Sequence, residues 1–284
     1  MITIFTPTYN NAKRLPVLYK SLINQSCEDF EWVIVDDGST DNTEKYINSI
    51  KKDALFSISY KKIKHGGKHR AINEGVKYAK GEYFFIVDSD DYLASTAVED
   101  IIKFFNSLDK NKKYAGISTV KLSTGEIYKN KDKQFDYKYS DRFLLLIENR
   151  HAEIYFTEII KNHPFPEFEG EEFLLEDTLW DTLALEDYLL KFFYTVTYLN
   201  EEHNLKQEEI LTKYSDNPEG LFEWARVELR ALKGFSYRIY IFRKVWYSLR
   251  QKYSKKEICE KLNVSKRKFN STLFFGKLLH KKGI

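Results

Sequence analysis

Apolar runs and polar breaks alternate through the first hundred residues. Thr3-Ile4-Phe5-Thr6 runs into the polar turn Pro7-Thr8-Tyr9-Asn10, and Trp32-Val33-Ile34-Val35 into Asp36-Asp37-Gly38-Ser39-Thr40-Asp41-Asn42-Thr43. A third polar segment, Gly66-Gly67-Lys68-His69-Arg70, opens a helical pattern, and Tyr83-Phe84-Phe85-Ile86-Val87 runs straight into Asp88-Ser89-Asp90-Asp91. Short apolar runs bounded by turn residues predict buried strands near 2–6, 31–36, 57–62 and 82–87. Helical spacing between them predicts helices near 12–24, 42–51, 68–79 and 95–108. Ser39, Thr40 and Asp41 are candidate caps, and Gly81 closes the third helix. Strands alternating with helices imply a mostly parallel sheet covered on both faces, with ligand-binding loops at the carboxyl edge of its strands. Further on the pattern is mixed, with a strand at Gly116–Val120 and a turn at Thr124-Gly125-Glu126. From about 178 helical periodicity dominates, broken near Asp216-Asn217-Pro218-Glu219-Gly220.

A length of 284 residues with 43% hydrophobic and 16% aromatic content supports a full core. The longest apolar run falls short of the ~20 residues a membrane span needs. The first residues read as a strand, without the basic and apolar regions of an export signal, and point to a cytoplasmic protein. Cys27 and Cys259 lie far apart without metal-ligand spacing, as expected in a reducing compartment. The net charge of +3 conceals an asymmetry. From Leu221 to Ile284 there are seventeen Lys or Arg against four Glu, a net of +13 that leaves −10 for the remainder. Nine carboxylates fall between Glu167 and Asp187.

The tetrad Asp88-Ser89-Asp90-Asp91 carries the strongest chemistry. Three carboxylates within four residues behind a buried strand repel one another unless a cation neutralises them. Oxygen-only ligands suit a hard ion, Mg2+ or Mn2+, sharing its sphere with a diphosphate. The competing reading is a helix N-cap cluster. Phosphate-loop alternatives fail: Gly66-Gly67-Lys68 lacks the upstream glycine and following Ser/Thr of such a loop, and no GxGxxG follows a strand.

Taken in order, TPTYN at 6–10, DDGSTDNT at 36–43, GGKHRAINEG at 66–75 and DSDD at 88–91 resemble family 2 glycosyltransferases of the GT-A fold. The resemblance is strong over residues 1–115 and continues more weakly through FPEFEGEEFLLED at 165–177. That stretch looks like a subgroup met in bacterial capsule and surface-polysaccharide synthesis. The resemblance implies an α/β GT-A fold, Rossmann-like, with a mostly parallel sheet flanked by helices and a C-terminal helical extension. It implies a nucleotide-sugar-binding half at 1–115, an acceptor-binding half with the catalytic base at 116–215, and a basic aromatic-rich helical tail at 216–284.

It also implies roles. Pro7, Thr8 and Tyr9 contact the nucleotide, Asp37 accepts from the N3–H of a uracil or thymine base, and Asp88 meets the ribose. Asp90 binds Mn2+ or Mg2+, with Asp91 near the ion or the sugar. Lys68 and Arg70, opening the third helix, suit the diphosphate or the base, and Asn73 one turn on is expected to face the same site. The general base falls in Glu176-Asp177, with Asp177 aligning best, so that a single displacement inverts the anomeric centre. The partners implied are a nucleotide-sugar donor, a UDP-sugar first and a dTDP-sugar next, and a glycan or lipid-linked glycan acceptor.

The basic tail mixes Trp224, Tyr240, Phe242, Trp246 and Tyr247 with Arg and Lys. Such helices suit an anionic membrane surface, the acidic body of the same chain or a partner subunit, a homodimer included. Residues 254–269 also read as a helix-turn-helix, with Ile258, Leu262, Val264 and Phe269 apolar. No dimerisation element or second DNA module accompanies them, which disfavours a nucleic-acid regulator. A sugar-nucleotide nucleotidyltransferase would share the fold. It would want a glycine- and arginine-rich loop where this chain has Thr6-Pro7-Thr8-Tyr9-Asn10.

Overall fold

The computed structural model describes residues 1–123, 134–145, 151–200 and 207–281. The turn expected at Thr124-Gly125-Glu126 lies outside the described residues. The chain forms two compact units, Met1–Phe165 with Asp187–His203, and Pro166–Glu186 with Asn204–Ile284. The 116–215 stretch, expected as one acceptor half, is thus divided between them.

Among the described residues the first unit holds a nine-stranded sheet: β1 Ile2–Thr8, β2 Phe30–Asp36, β3 Ser57–Lys62, β4 Tyr83–Ile86, β5 Tyr92–Leu93, β6 Tyr114–Ser123, β7 Gln134–Tyr137, β8 His151–Phe156 and β9 Leu189–Asn200. The order is β3-β2-β1-β4-β8-β6-β9-β5, with β7 also on β9. The four strands read from the sequence are mutually parallel. Strand β8 runs antiparallel to both β4 and β6, and β6 is parallel to β9. Helices α1 Leu15–Ile23, α2 Thr43–Ile50, α3 Lys68–Gly75, α4 Ala97–Asn106 and α5 Thr157–Asn162 complete the unit.

Continuous apolar runs become strands here because the sheet is covered and nearly every position is buried, as all seven residues of β1 and of β2 are. Ile4, Trp32, Ile34, Phe85 and Ile101 lie in one core cluster. A polar latch fixes the register below it. Glu31, 2% exposed, accepts from the Thr3 hydroxyl at 2.7 Å and the Lys80 N–H at 2.6 Å. Thr3 in turn accepts from the Gly81 N–H at 2.9 Å. A Cβ at Gly81 would lie 2.4 Å from the Thr3 nitrogen, so only glycine allows this approach.

One expectation is corrected. Helical periodicity from 178 onward misses β9, a strand twelve residues long. Phe192, Phe193, Tyr194, Thr195, Val196, Thr197 and Tyr198 are aromatic or β-branched and favour a pleated surface. Strand β6 pairs along one edge of β9, while β7 and β5 share the other, at Leu190–Phe193 and Tyr198–Leu199.

The second unit contains α6 Asp177–Leu185, α7 Gln207–Asp216, α8 Pro218–Ala231, α9 Phe235–Leu249, α10 Lys255–Lys261 and α11 Lys266–Lys281. Phe222, Trp224, Phe242, Leu249 and Phe269 are each 1% exposed or less within its core. Ser254 caps α10 in a capping box with Glu257. The 254–269 segment does form helix, turn and helix, and it turns Ile258, Leu262 and Phe269 into this core.

Candidate active site

The first two loops of the α/β unit are tied together. Pro7 and Thr8 end β1, paired in register with Val35 and Asp36 of β2. Asn10 accepts the Thr40 N–H at 2.8 Å, and its own N–H donates to Ser39 Oγ at 2.8 Å. The Thr8 hydroxyl is buried with no hydrogen-bond partner among the described residues. Such a group costs free energy unless a ligand or water satisfies it.

Asp36 and Asp37 point to different partners, as adjacent residues at a strand end must. Asp36 is fully buried and accepts from the Ser39 N–H and the Tyr60 hydroxyl, each at 2.6 Å. Asp37, 4% exposed, accepts the N–H groups of Gly66 and Gly67, each at 2.8 Å. Its Oδ2 also lies 2.8 Å from His65 Nδ1. Gly67, at φ 96°, supplies the backbone turn that aims both amides at one carboxylate. The His65 ring stacks on Tyr9, centroids 4.2 Å apart and planes 17° from parallel. Second and third loops are therefore joined through Asp37, and an aromatic pair stands over the junction.

The tetrad is balanced by cations from three elements. Lys68, on the first turn of α3, places Nζ 2.6 Å from Asp88 Oδ1. Arg14 lies 3.3 Å from Asp90 Oδ2, and Lys121 of β6 lies 3.6 Å from Asp91 Oδ2. The Tyr198 hydroxyl of β9 donates to Asp91 at 2.8 Å and accepts the Asp88 N–H at 3.0 Å. Burial opposes the charge on Asp88, yet Lys68 and then Lys121 outweigh it and hold the carboxyl below its ordinary value. Burial prevails at Asp91 and raises its pKa, against Lys121 and Tyr198 and with added repulsion from Asp88 and Asp90. Asp88 and Asp90 remain a third exposed, whereas Asp91 is 6% exposed.

The structure thus gathers Pro7, Thr8, Tyr9, Asp37, Lys68, Asp88, Asp90 and Asp91 into loops of one sheet. Arg70 folds back on the loop, its Cδ 2.8 Å from where a Cβ of Gly66 would stand. Asn73 departs from expectation: both ends of its amide hold the backbone of Phe165, at 2.9 and 2.8 Å. Four supporting residues were not singled out from sequence: His65, Arg14, Lys121 and Tyr198. A lysine inside the apolar β6 run was the one local signal. Tyr198 lies 110 residues from Asp88, and no local pattern links them.

Among the described residues no group of three or more His, Cys, Asp or Glu is arranged to hold a metal. The partly exposed oxygens of Asp90 and Asp88 are a donor set of one or two, which fits an ion completed by phosphate oxygens and water.

In the helical unit Glu176 precedes α6 and Asp177 is its first residue, both half-buried, and the Glu176 side chain does not cap the helix. Their acidic neighbour Glu171 has a structural task. Its carboxylate accepts the Glu219 and Gly220 N–H groups at 2.7 and 2.8 Å, at the N-terminus of α8. Asn217 returns the link by accepting the Glu172 and Phe173 N–H groups at 2.6 and 3.0 Å. Asp181, one turn beyond Asp177, is fully buried.

The model of glycosyl transferase family 2 matches residues 3–163. Over 107 residues the chain is 36% identical to the poly(ribitol-phosphate) beta-N-acetylglucosaminyltransferase TarP of Staphylococcus aureus, covering 36% of this chain and 32% of TarP. Its matches span less than half the length of the first curated relatives. In three dimensions it resembles TarS residues 1–349 of S. aureus in complex with UDP-GlcNAc, at TM-score 0.61 and 19% identity over 88% of this chain and 74% of that one. It also resembles the mannosyltransferase PcManGT of Pyrobaculum calidifontis in complex with GDP-Man and Mn2+, at TM-score 0.58 and 15% identity over 99% and 79%. At such identities the likeness is one of fold, the GT-A fold expected from the sequence.

Proposed function

The chain belongs to glycosyl transferase family 2, and from that premise we propose that it moves a sugar from a nucleotide-sugar donor to a glycan or lipid-linked glycan. UDP-sugars come first and dTDP-sugars next, and the product is a bacterial surface or capsular polysaccharide. The observation that carries the reading is the joined loop cluster, in which the Tyr9–His65 stack stands beside Asp37 and the Lys68–Asp88 and Arg14–Asp90 pairs. Relatives named for sugar transfer to poly(ribitol-phosphate) support it.

In this reading the base packs on Tyr9, against Pro7 and the Thr8 hydroxyl. A carboxylate offers about four lone-pair sites. The Gly66, Gly67 and His65 groups leave Asp37 room for one more donor, the imide N3–H of uracil or thymine. Asp88 meets the ribose. Lys68 and Arg70, at a helix start that already favours anions, meet the diphosphate. Asp90 and Asp88 would hold Mn2+ or Mg2+, which when bound supplies Lewis-acid neutralisation of the leaving diphosphate. Asp91, buried and held by Tyr198, supports the turn. Asp177, with Glu176 as the alternative, takes the proton of the acceptor hydroxyl as its oxygen bonds the anomeric carbon and the bond to the diphosphate breaks, inverting that centre.

The test is a transfer assay over a panel of UDP- and dTDP-sugars. Asp90→Ala slows turnover by at least about 100-fold with the fold intact. Asp177→Asn slows it by about 100-fold or more. A near-normal rate for Asp90→Ala would overturn the metal assignment, and one for Asp177→Asn would move the base to Glu176. No helix among the described residues is long and apolar enough to cross a membrane. Phe235, Phe274 and Phe275, 47, 60 and 48% exposed beside a basic α11, support docking on an anionic bilayer. Flotation with anionic vesicles that is lost in Phe274→Ser checks this, and no flotation of the parent chain disposes of it.

A further inference from the structure

Helix α9 carries two sets of side chains. Phe242, Val245 and Leu249 are fully buried in the core of the helical unit. Tyr240, Arg243, Tyr247 and Arg250 follow one another at spacings of three and four, which lines them along the opposite stripe. At 1.5 Å per residue the stripe is ~15 Å long. It forms one wall of a groove of about 680 Å3 to which α7 contributes Ile210 and Tyr214.

Cations and rings are interleaved there. Lys244 Nζ lies 4.3 Å from the Trp224 ring and 4.6 Å from that of Tyr214, and donates to the Tyr240 hydroxyl at 3.2 Å. The guanidinium groups of Arg243 and Arg250 lie 5.8 and 5.2 Å from the Tyr247 ring. Tyr240 and Tyr247 are nevertheless 47 and 37% exposed. No carboxylate is among the described lining residues.

A ring does not neutralise a cation lying on it, so the groove keeps its positive charge. Tyrosine faces suit the C–H faces of sugars or polyols, and guanidinium forks suit phosphate or carboxylate. A single phosphate would engage one arginine and leave most of the stripe uncovered. A bilayer meets protruding apolar side chains, whereas here the rings line a concavity with cations between them. We propose that the α7–α9 groove binds a segment of anionic glycan, sugars or polyols carrying phosphate or carboxylate groups, as part of the acceptor chain. As an acceptor site it rests on the transferase reading.

The test uses the full chain and calorimetry with four probes: a glycerol-phosphate hexamer, a uronic-acid hexasaccharide, neutral maltohexaose and anionic phospholipid vesicles. The expected result is that one anionic oligomer binds at least about 10-fold more tightly than maltohexaose, an advantage that shrinks with added salt. The double variant Arg243→Gln/Arg250→Gln, and separately Tyr247→Ala, weakens that binding at least about 10-fold. UDP affinity is unchanged in both, which shows that the chain is folded. Equal binding of neutral and anionic oligomers, indifference to the substitutions, or a loss confined to vesicle binding would each overturn the proposal. Glycan binding without nucleotide binding would sink the transferase reading and keep the groove. UDP binding without glycan binding would do the reverse.

Discussion

Ion pairs and ring contacts occur in both units, but the cations at the loop cluster and those along α9 and α10 find different partners. In the α/β unit Lys68, Arg14 and Lys121 face the carboxylates of Asp88, Asp90 and Asp91. In the helical unit Lys244, Arg243 and Arg250 lie over Trp224 and tyrosine rings, and Lys255 over Trp246. A carboxylate neutralises its cation and fixes its direction, whereas a ring holds the cation in place and leaves its charge outward. The first arrangement suits a site in which phosphate groups and a hard ion exchange for internal partners in a set geometry. The second suits a longer polyanion that reads charge and flat faces.

The comparison is broken most severely on the ring side. Trp224 is 1% exposed and forms part of the support under Lys244. Trp224→Ala is expected to cost about 3–5 kcal/mol in urea unfolding, through lost burial and the cavity left behind. A loss below about 1 kcal/mol would mean the ring is not part of a packed core. On the carboxylate side, Asp37→Ala leaves the buried Gly66 and Gly67 N–H groups without their acceptor. The expected cost is about 2–3 kcal/mol, together with loss of UDP affinity. Unchanged stability would show that these amides find other partners.

The smallest effect sharpens the comparison. The Lys68–Asp88 pair is a third exposed on each side, so its contribution is about 1 kcal/mol or less after solvent screening. Asp88 titrates below the ordinary carboxylate value in the folded chain. Its stabilisation is therefore present above that value and lost as pH falls through the lowered one. Lys68→Met should be slightly less stable than the parent near neutrality, with the gap closing below the ordinary carboxylate range. A gap that stays constant well below that range would remove Lys68 as the cause.

The parallel half of the sheet was legible because β1, β2 and β4 are short apolar runs ending in polar turns. Strand β9 was not, because Leu189–Asn200 is an apolar, aromatic stretch whose state is decided by its three partner strands rather than by local spacing. The same reason hid Tyr198 and Lys121. They support the tetrad across 110 and 30 residues, and the pairing of β9 with β5 and with β6 brings them to it. His65 lay next to the recognised Gly66-Gly67-Lys68, but its value comes from stacking on Tyr9, a contact between separate loops. The helical unit was legible as basic and aromatic. That Arg243, Lys244 and Arg250 would lie on rings depended on which face of α9 was buried.

The central claim is that the joined loops bind a nucleoside diphosphate together with a divalent ion. Calorimetric titration of UDP, with dTDP and GDP beside it and with and without Mn2+, tests this most directly. The account predicts UDP binding in preference to GDP, weakening sharply when Mn2+ is withdrawn and lost in Asp37→Ala. No binding of any nucleoside diphosphate, or UDP affinity indifferent to both Mn2+ and Asp37, would contradict it.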